Sequence, residues 1–118
     1  YRGMDEVSIC EGGTQVAELQ DGVIREYYLT ANDFGLNPVP SAAISPPRGM
    51  SKGDFSLGIL RWGITGPPLE MVLANAAILF YLAERSQDLK ECYAMARAVH
   101  QKEGAYEKMV AVRNRLPK

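Results

Sequence analysis

Two adjacent carboxylates, Asp5 and Glu6, lie near the start of the chain in the stretch YRGMDEVSICEGG and could hold a cation together. Successive side chains of a regular strand point to opposite faces, so both could contact one ion only from a loop or a bent strand entry. Gly3 permits such a bend, because glycine adopts backbone conformations closed to other residues. Taken alone, the pair fits a solvated acidic turn better, since Asp and Glu are mostly exposed residues.

The other residues capable of chemistry favour structural roles. His100 is the only histidine, and its place on the packing stripe of a late helix predicts a core or boundary position rather than a Ser/His/Asp arrangement. Cys10 and Cys92 lack CxxC spacing, so we interpret them as buried reduced thiols. Gly12 and Gly13 are consistent with a turn, because the surrounding residues complete no phosphate-binding loop. The sequence therefore predicts no catalytic residue and no cofactor-binding residue.

Composition limits the chain to at most one globular domain. It has 118 residues, of which 47% are hydrophobic and 23% charged. The net charge is −1 and the Lys and Arg residues are scattered, so we expect no nucleic-acid or membrane partner. The apolar run at residues 73–83 is too short to span a bilayer and no signal-peptide pattern is present, which together favour a cytoplasmic protein. Because its first motif lies almost at Tyr1, we expect a fragment of a longer protein.

The first part of the chain, residues 7–29, has the pattern of a β-ribbon. Asp21-Gly22 is a strong two-residue hairpin signal, and it would pair Leu19 with Ile24 and Glu18 with Arg25. Neither face of the ribbon is wholly apolar, and a lone hairpin is barely stable in water. We therefore expect the ribbon to pack against other elements and to expose an apolar patch that the rest of the protein covers.

A Pro-rich loop at residues 35–53 separates the ribbon from a helical part at residues 54–115. Its four prolines exclude a regular helix or a central strand. A loop of this length is functional, disordered or a crossover between layers, and the sequence leaves these alternatives open.

The helical part predicts three or four helices. The first covers residues 54–62, with Asp54 as its cap and Gly63 near its end. The second, residues 69–84, is apolar almost all round and is predicted to be the core element, covered on several sides. Asn75 in its middle would need hydrogen-bond partners if it is buried, since an unpaired buried amide costs about 1–3 kcal/mol.

The third predicted helix has a packing stripe, and Gly104 is predicted to end this helix. A last helix is predicted at residues 106–115, with basic residues near its C-terminus. The stripe of the third helix consists of Leu89, Cys92, Tyr93, Ala96, Val99 and His100.

The order and spacing of these motifs resemble the C-terminal part of the anthranilate phosphoribosyltransferase family over nearly the whole chain. Each motif is short, but together they are specific. The motifs in question are Gly3-Met4-Asp5-Glu6-Val7-Ser8, the hairpin, Asp33-Phe34-Gly35-Leu36, the Pro-rich loop, Lys52-Gly53-Asp54, and Leu73-Ala74-Asn75-Ala76-Ala77 with two further helices.

The resemblance implies a fold and a function. The fold would be the last portion of a phosphoribosyltransferase/nucleoside-phosphorylase-like α/β domain, so that residues 1–118 form one partial α/β domain. The activity would be transfer of the phosphoribosyl group of phosphoribosyl pyrophosphate (PRPP) to anthranilate in tryptophan biosynthesis. Asp5 and Glu6 match the family's Asp-Glu pair, which binds Mg²⁺ on the pyrophosphate of PRPP. Mg²⁺ is commonly held by one or two carboxylates with substrate phosphates.

Departures from the family pattern leave alternatives open. The glycine-rich phosphate loop and the anthranilate-positioning residues lie upstream in the family and are absent here, so we expect this chain alone to be inactive. Dimerisation through the absent N-terminal domain is a further expectation. Lys52-Gly53-Asp54 lacks the Asn that follows the family motif, and Tyr1-Arg2-Gly3-Met4 replaces a longer His-Gly lead. A divergent paralogue with another acceptor, or a non-catalytic scaffold module, therefore remains an alternative.

Overall fold

The hairpin forms with the predicted register. In the computed structural model, which describes residues 4, 6–61 and 63–117, strands β1 (Thr14–Gln20) and β2 (Val23–Leu29) pair antiparallel. Glu18 lies opposite Arg25 and Leu19 opposite Ile24, as predicted. Asp21 and Gly22 both have positive φ, of 52° and 77°, which is the conformation that this two-residue turn requires.

Only one face of the hairpin is packed. Val16, Tyr27 and Leu29 contact the main core. On the opposite face Leu19, Ile24 and Tyr28 are 71%, 66% and 67% exposed. The predicted exposure of apolar residues is confirmed. That the rest of a longer protein covers them stays a prediction.

A short 3₁₀ turn, Ala31–Phe34, follows β2 and accounts for the Asp33-Phe34-Gly35 motif. The backbone N–H of Thr30 donates to the Asp33 carboxylate at 2.8 Å, and Gly35 continues the chain with a φ of 80°. The turn thereby directs the buried Phe34 into the core. In this structure the motif therefore has a structural role, because Asp33 caps the start of the turn.

The Pro-rich loop packs against the core and, up to residue 51, contains neither a regular helix nor a central strand. Its predicted end at residue 53 is wrong, because residues 52 and 53 belong to the first helix. The loop forms a second 3₁₀ turn, Ser41–Ile44, and its Val39 makes an isolated parallel bridge with Cys10. Val39, Leu36 and Ile44 pack against the main core. Among the alternatives left open by the sequence, a connection between layers fits this packing.

Four helices follow: α1 (Lys52–Leu60), α2 (Pro67–Leu82), α3 (Leu89–Gln101) and α4 (Gly104–Arg115). The predicted antiparallel hairpin followed by three or four helices is confirmed. The main core lies between residues 7–10, the hairpin, α2 and α3, and a second cluster joins α1, α2 and α3.

Several predicted boundaries and caps are wrong. Ser51, not Asp54, caps α1: its hydroxyl accepts from the backbone N–H of Asp54, which is the third helical residue. Gly104 begins α4 rather than ending α3, because the left-handed backbone of Glu103 already interrupts the helix before Gly104. Trp62, the predicted last residue of α1, lies outside the described residues. Helix α2 ends before the left-handed Glu84, with φ of 59°.

Helix α2 is central but only partly covered. Leu69, Leu73, Ala74 and Ala77 are buried. The prediction of cover on several sides is wrong for the opposite side, where Val72, Leu79 and Leu82 are 43%, 67% and 64% exposed. A uniformly apolar helix does not show in its sequence which side a neighbour will cover. Val99 on the predicted stripe of α3 is likewise 44% exposed.

Candidate functional site

The segment after the predicted cation-binding pair passes quickly from solvent into the core. Glu6 is exposed and Val7 is half-buried. Ser8 and Ile9 are completely buried, and Cys10 is 1% exposed. The chain that follows Glu6 is therefore held in place by a buried stretch.

Hydrogen bonds hold this buried stretch at nearly every residue. The N–H of Ser8 donates to Oγ1 of Thr14 at 2.9 Å, and the N–H of Cys10 donates to Oγ of Ser8 at 2.9 Å. The Pro-rich loop adds a bond from the N–H of Val39 to the carbonyl of Ile9, at 3.2 Å. These bonds tie the segment to β1 and to the loop at once.

Asn75 of α2 binds both backbone groups of Val7. Its Oδ1 accepts from the Val7 N–H at 2.9 Å, and its Nδ2 donates to the Val7 carbonyl at 2.8 Å. Nδ2 also donates to the carbonyl of Met71, one turn earlier in the helix, at 3.0 Å. The predicted need of Asn75 for partners is confirmed, but the sequence did not indicate that its main partner is the segment carrying the acidic pair.

The acidic pair itself is described only in part. Asp5 lies outside the described residues, whereas the Glu6 carboxylate is on an exposed residue where the chain bends. A solvent-facing carboxylate is the donor type that Mg²⁺ prefers, and the donor chemistry therefore fits. In residues 4, 6–61 and 63–117 no group of three or more His, Cys, Asp or Glu side chains could hold a metal ion. The Asp5-Glu6 site stays a prediction.

A second polar cluster centres on Glu18, whose side chain is only 11% exposed. Tyr81 of α2 donates to its Oε2 at 2.7 Å, while Tyr27 and Arg25 donate to its Oε1 at 2.9 and 3.2 Å. The hydrogen bond from Tyr81, followed by that from Tyr27, lowers the pKa of Glu18. Burial, followed by the hydrogen bond to Glu18, raises the pKa of Tyr27 to about 12.

The Glu18 cluster lies beside an open groove of about 840 Å³ between the hairpin tip and the C-terminal end of α2. Three donors already occupy the carboxylate, so we interpret the cluster as a tie between hairpin and helix. Sequence reasoning found the Glu18–Arg25 pair from the hairpin register. It missed Tyr81, which lies 63 residues away in sequence and gives no local signal.

The remaining candidate side chains have the structural positions predicted for them. His100 is 5% exposed, and its Nε2 lies 2.7 Å from the carbonyl oxygen of Ile59, which joins α3 to α1. Cys10 and Cys92 are buried free thiols. Burial raises the pKa of Cys92, which disfavours the reactive thiolate. Gly12 and Gly13 form a turn with φ of 99° and 66°.

Comparison with known proteins gives the family. Residues 2–106 match the family described as "Glycosyl transferase family, a/b domain". The chain belongs to this family. No helix in the described part of the chain is long and apolar enough to cross a membrane.

Several curated members named anthranilate phosphoribosyltransferase are similar to the chain. The protein from Thiobacillus denitrificans is 34% identical over 107 residues, which cover 91% of this chain and 31% of the relative. That from Aeromonas hydrophila is 38% identical over 97 residues, covering 82% of the chain and 28% of the relative. That from Haloferax volcanii is 36% identical over 95 residues, covering 80% and 28%. The predicted resemblance is confirmed, and the chain spans about a third of the length of these relatives.

Proposed function

We propose that this chain is the C-terminal part of an anthranilate phosphoribosyltransferase, in which Asp5 and Glu6 bind Mg²⁺ together with PRPP. The observation that carries the proposal is similarity over 80% or more of the chain to proteins bearing that name. The position of Glu6 supports it, because this exposed residue precedes a hydrogen-bonded buried segment.

The proposed role of the two carboxylates is electrostatic. When bound, Mg²⁺ would neutralise negative charge that develops on the departing pyrophosphate. Asp5 and Glu6 would hold the ion through their oxygens and would not need to remove a proton. Two carboxylates are sufficient protein ligands when substrate phosphates complete the coordination.

The proposal requires sequence beyond these 118 residues for activity. The family's phosphate loop and anthranilate-positioning residues have no counterpart in this chain. We therefore expect no turnover of PRPP and anthranilate by the 118-residue chain alone. Measurable turnover by this chain would contradict that expectation.

The decisive experiment is a Mg²⁺ titration of the full-length protein with saturating anthranilate, comparing wild type, Asp5→Asn and Glu6→Gln. Both variants should lower kcat/KM and raise the Mg²⁺ concentration that gives half-maximal activity, because each removes one charged ligand. Their stability should change by only about ±0.5 kcal/mol, as is usual for exposed substitutions. The exposed Glu11→Gln serves as the matched control, since it removes a carboxylate outside the pair.

Unchanged Mg²⁺ curves for both variants would mean that the pair does not bind the ion and is only a solvated acidic turn. An active wild type that accepts an amine other than anthranilate would support the divergent paralogue suggested by Lys52-Gly53-Asp54. An inactive full-length protein would support the scaffold alternative.

A further inference from the structure

Asn75 is a polar residue in the middle of the mostly apolar α2, and most of its hydrogen bonds leave that helix. Two of its three hydrogen bonds go to the backbone of Val7, and the third goes to Met71. Asn is a poorer helix former than the alanines beside it, so its position in α2 is not explained by helix propensity. Its amide acts on Val7 as a neighbouring antiparallel strand would, pairing both the N–H and the carbonyl of one residue.

The bonded residue is the one that connects the acidic pair to the core. Val7 directly follows Glu6 and is two residues from Asp5. Consecutive Cα atoms are about 3.8 Å apart, so the Cα of Asp5 lies within about 7.6 Å of that of Val7. Fixing both backbone groups of Val7 therefore restricts where the two carboxylates can be.

The other bonds of the segment hold residues further from the pair. Thr14 holds the N–H of Ser8, and Val39 holds Ile9. Asn75 is thus the side chain that holds the residue nearest to Glu6, and it does so from the central helix. Helix α2 is itself anchored by Ala74, which is buried in the main core, and by Leu73, which is buried in the second cluster.

We infer that Asn75 is a positioning residue for the proposed cation site: it transmits the rigidity of α2 to Val7 and so holds the adjoining Glu6 where it can bind a divalent cation. The role in cation binding rests on the proposed function. The anchoring of Val7 can be tested without that function.

The first arm of the test measures amide hydrogen exchange by NMR in the 118-residue chain. The variant is Asn75→Leu, which keeps the approximate size of the side chain and removes its polar atoms. Exchange of the Val7 N–H should become at least about tenfold faster than in wild type, relative to amides in β2, because its acceptor is lost. Asn75→Ala removes the same polar atoms without adding bulk and should give the same selective loss of protection at Val7, so it is the second variant if Asn75→Leu does not fold.

The matched control is Leu73→Ala, which weakens α2 two positions away without touching Val7. It should accelerate exchange of α2 amides and of Val7 together, with no selective effect on Val7. Wild-type protection of Val7 in Asn75→Leu, or the same pattern in Asn75→Leu and Leu73→Ala, would overturn the inference.

The second arm measures Mn²⁺ binding by electron paramagnetic resonance and the Mg²⁺ dependence of activity in the full-length protein with PRPP. Asn75→Leu should weaken Mn²⁺ binding and raise the half-activating Mg²⁺ concentration several-fold. Leu73→Ala leaves the Asn75–Val7 hydrogen bonds in place and should change both quantities much less. In a Glu6→Gln background the additional effect of Asn75→Leu should be small, because both changes act on the same site.

The two hypotheses fail in different ways. If Asp5→Asn and Glu6→Gln weaken cation binding while Asn75→Leu does not, the positioning role is wrong and the proposed function stands. If none of the three changes affects cation binding, the proposed function is wrong, and with it the cation-positioning role. Full additivity of Asn75→Leu and Glu6→Gln would also overturn the inference.

Discussion

Gly13 lies where the segment after the acidic pair turns into β1, and its replacement by alanine tests how tightly that turn is packed. Gly13 is buried and has a φ of 66°. A Cβ atom built there would lie 2.7 Å from the carbonyl oxygen of Leu29 and 3.3 Å from Cγ2 of Thr30. The Leu29 oxygen belongs to the backbone of β2, so it cannot move aside as a flexible side chain would. Gly22 provides a matched control, because it has a φ of 77° but no atom within 4 Å of its Cβ position.

The magnitudes follow from these two environments. An alanine in the left-handed region costs about 1–2 kcal/mol, and both variants incur this cost. Overpacking adds about 1–3 kcal/mol for Gly13→Ala only. The expected loss in free energy of unfolding is therefore about 2–5 kcal/mol for Gly13→Ala and about 1–2 kcal/mol for Gly22→Ala. At about 4 °C per kcal/mol, the difference between the two variants corresponds to about 4–12 °C in Tm.

Urea denaturation followed by circular dichroism measures these losses on the 118-residue chain, with equal m values as the check that both variants unfold alike. A larger loss for Gly13→Ala would show that the segment after the acidic pair is packed directly against β2. Equal losses would refute the reasoning, since left-handed strain alone would then account for both glycines.

The remaining predictions concern pH and the helix ends. The pKa of Glu18 is lowered, so its contribution to stability is present above the unfolded pKa of 4.5 and is lost as the pH falls through the lower folded pKa. In Glu18→Gln the free energy of unfolding should therefore depend less on pH in that acidic range. The raised pKa of Tyr27 has the opposite effect: its contribution to stability is fully present below pH 10 and is lost as the pH rises towards 12. Thermal denaturation of wild type and Tyr27→Phe should show a smaller loss of stability over this range in the variant. Ser51→Ala should cost about 1 kcal/mol in urea denaturation, and Asp54→Ala less, because only Ser51 caps the backbone; the reverse order would restore Asp54 as the cap. Glu84→Gly should stabilise by about 0.5–1 kcal/mol, because the left-handed strain that it removes at the end of α2 exceeds the added entropic cost of glycine; an unchanged Tm would contradict this.

The sequence by itself determined the local features of this protein. Asp21-Gly22 specifies the hairpin and its register, because a two-residue loop leaves one way to pair the flanking strands. Four prolines excluded regular structure from the loop, and long apolar runs indicated the helices. The order of short motifs identified the family. Asn75 was recognised as a residue that must find partners, since a buried amide is costly without them.

Tertiary structure alone decided which distant groups meet. That Asn75 bonds Val7, and that Tyr81 bonds Glu18, depends on packing between residues separated by 68 and 63 positions. Periodicity carries no information about such pairs, because it describes one element at a time. The covered side of α2 was undetermined for the same reason. A largely apolar helix presents similar surfaces in several directions, and its packing against α3 and the Ser41–Ile44 turn selects one of them.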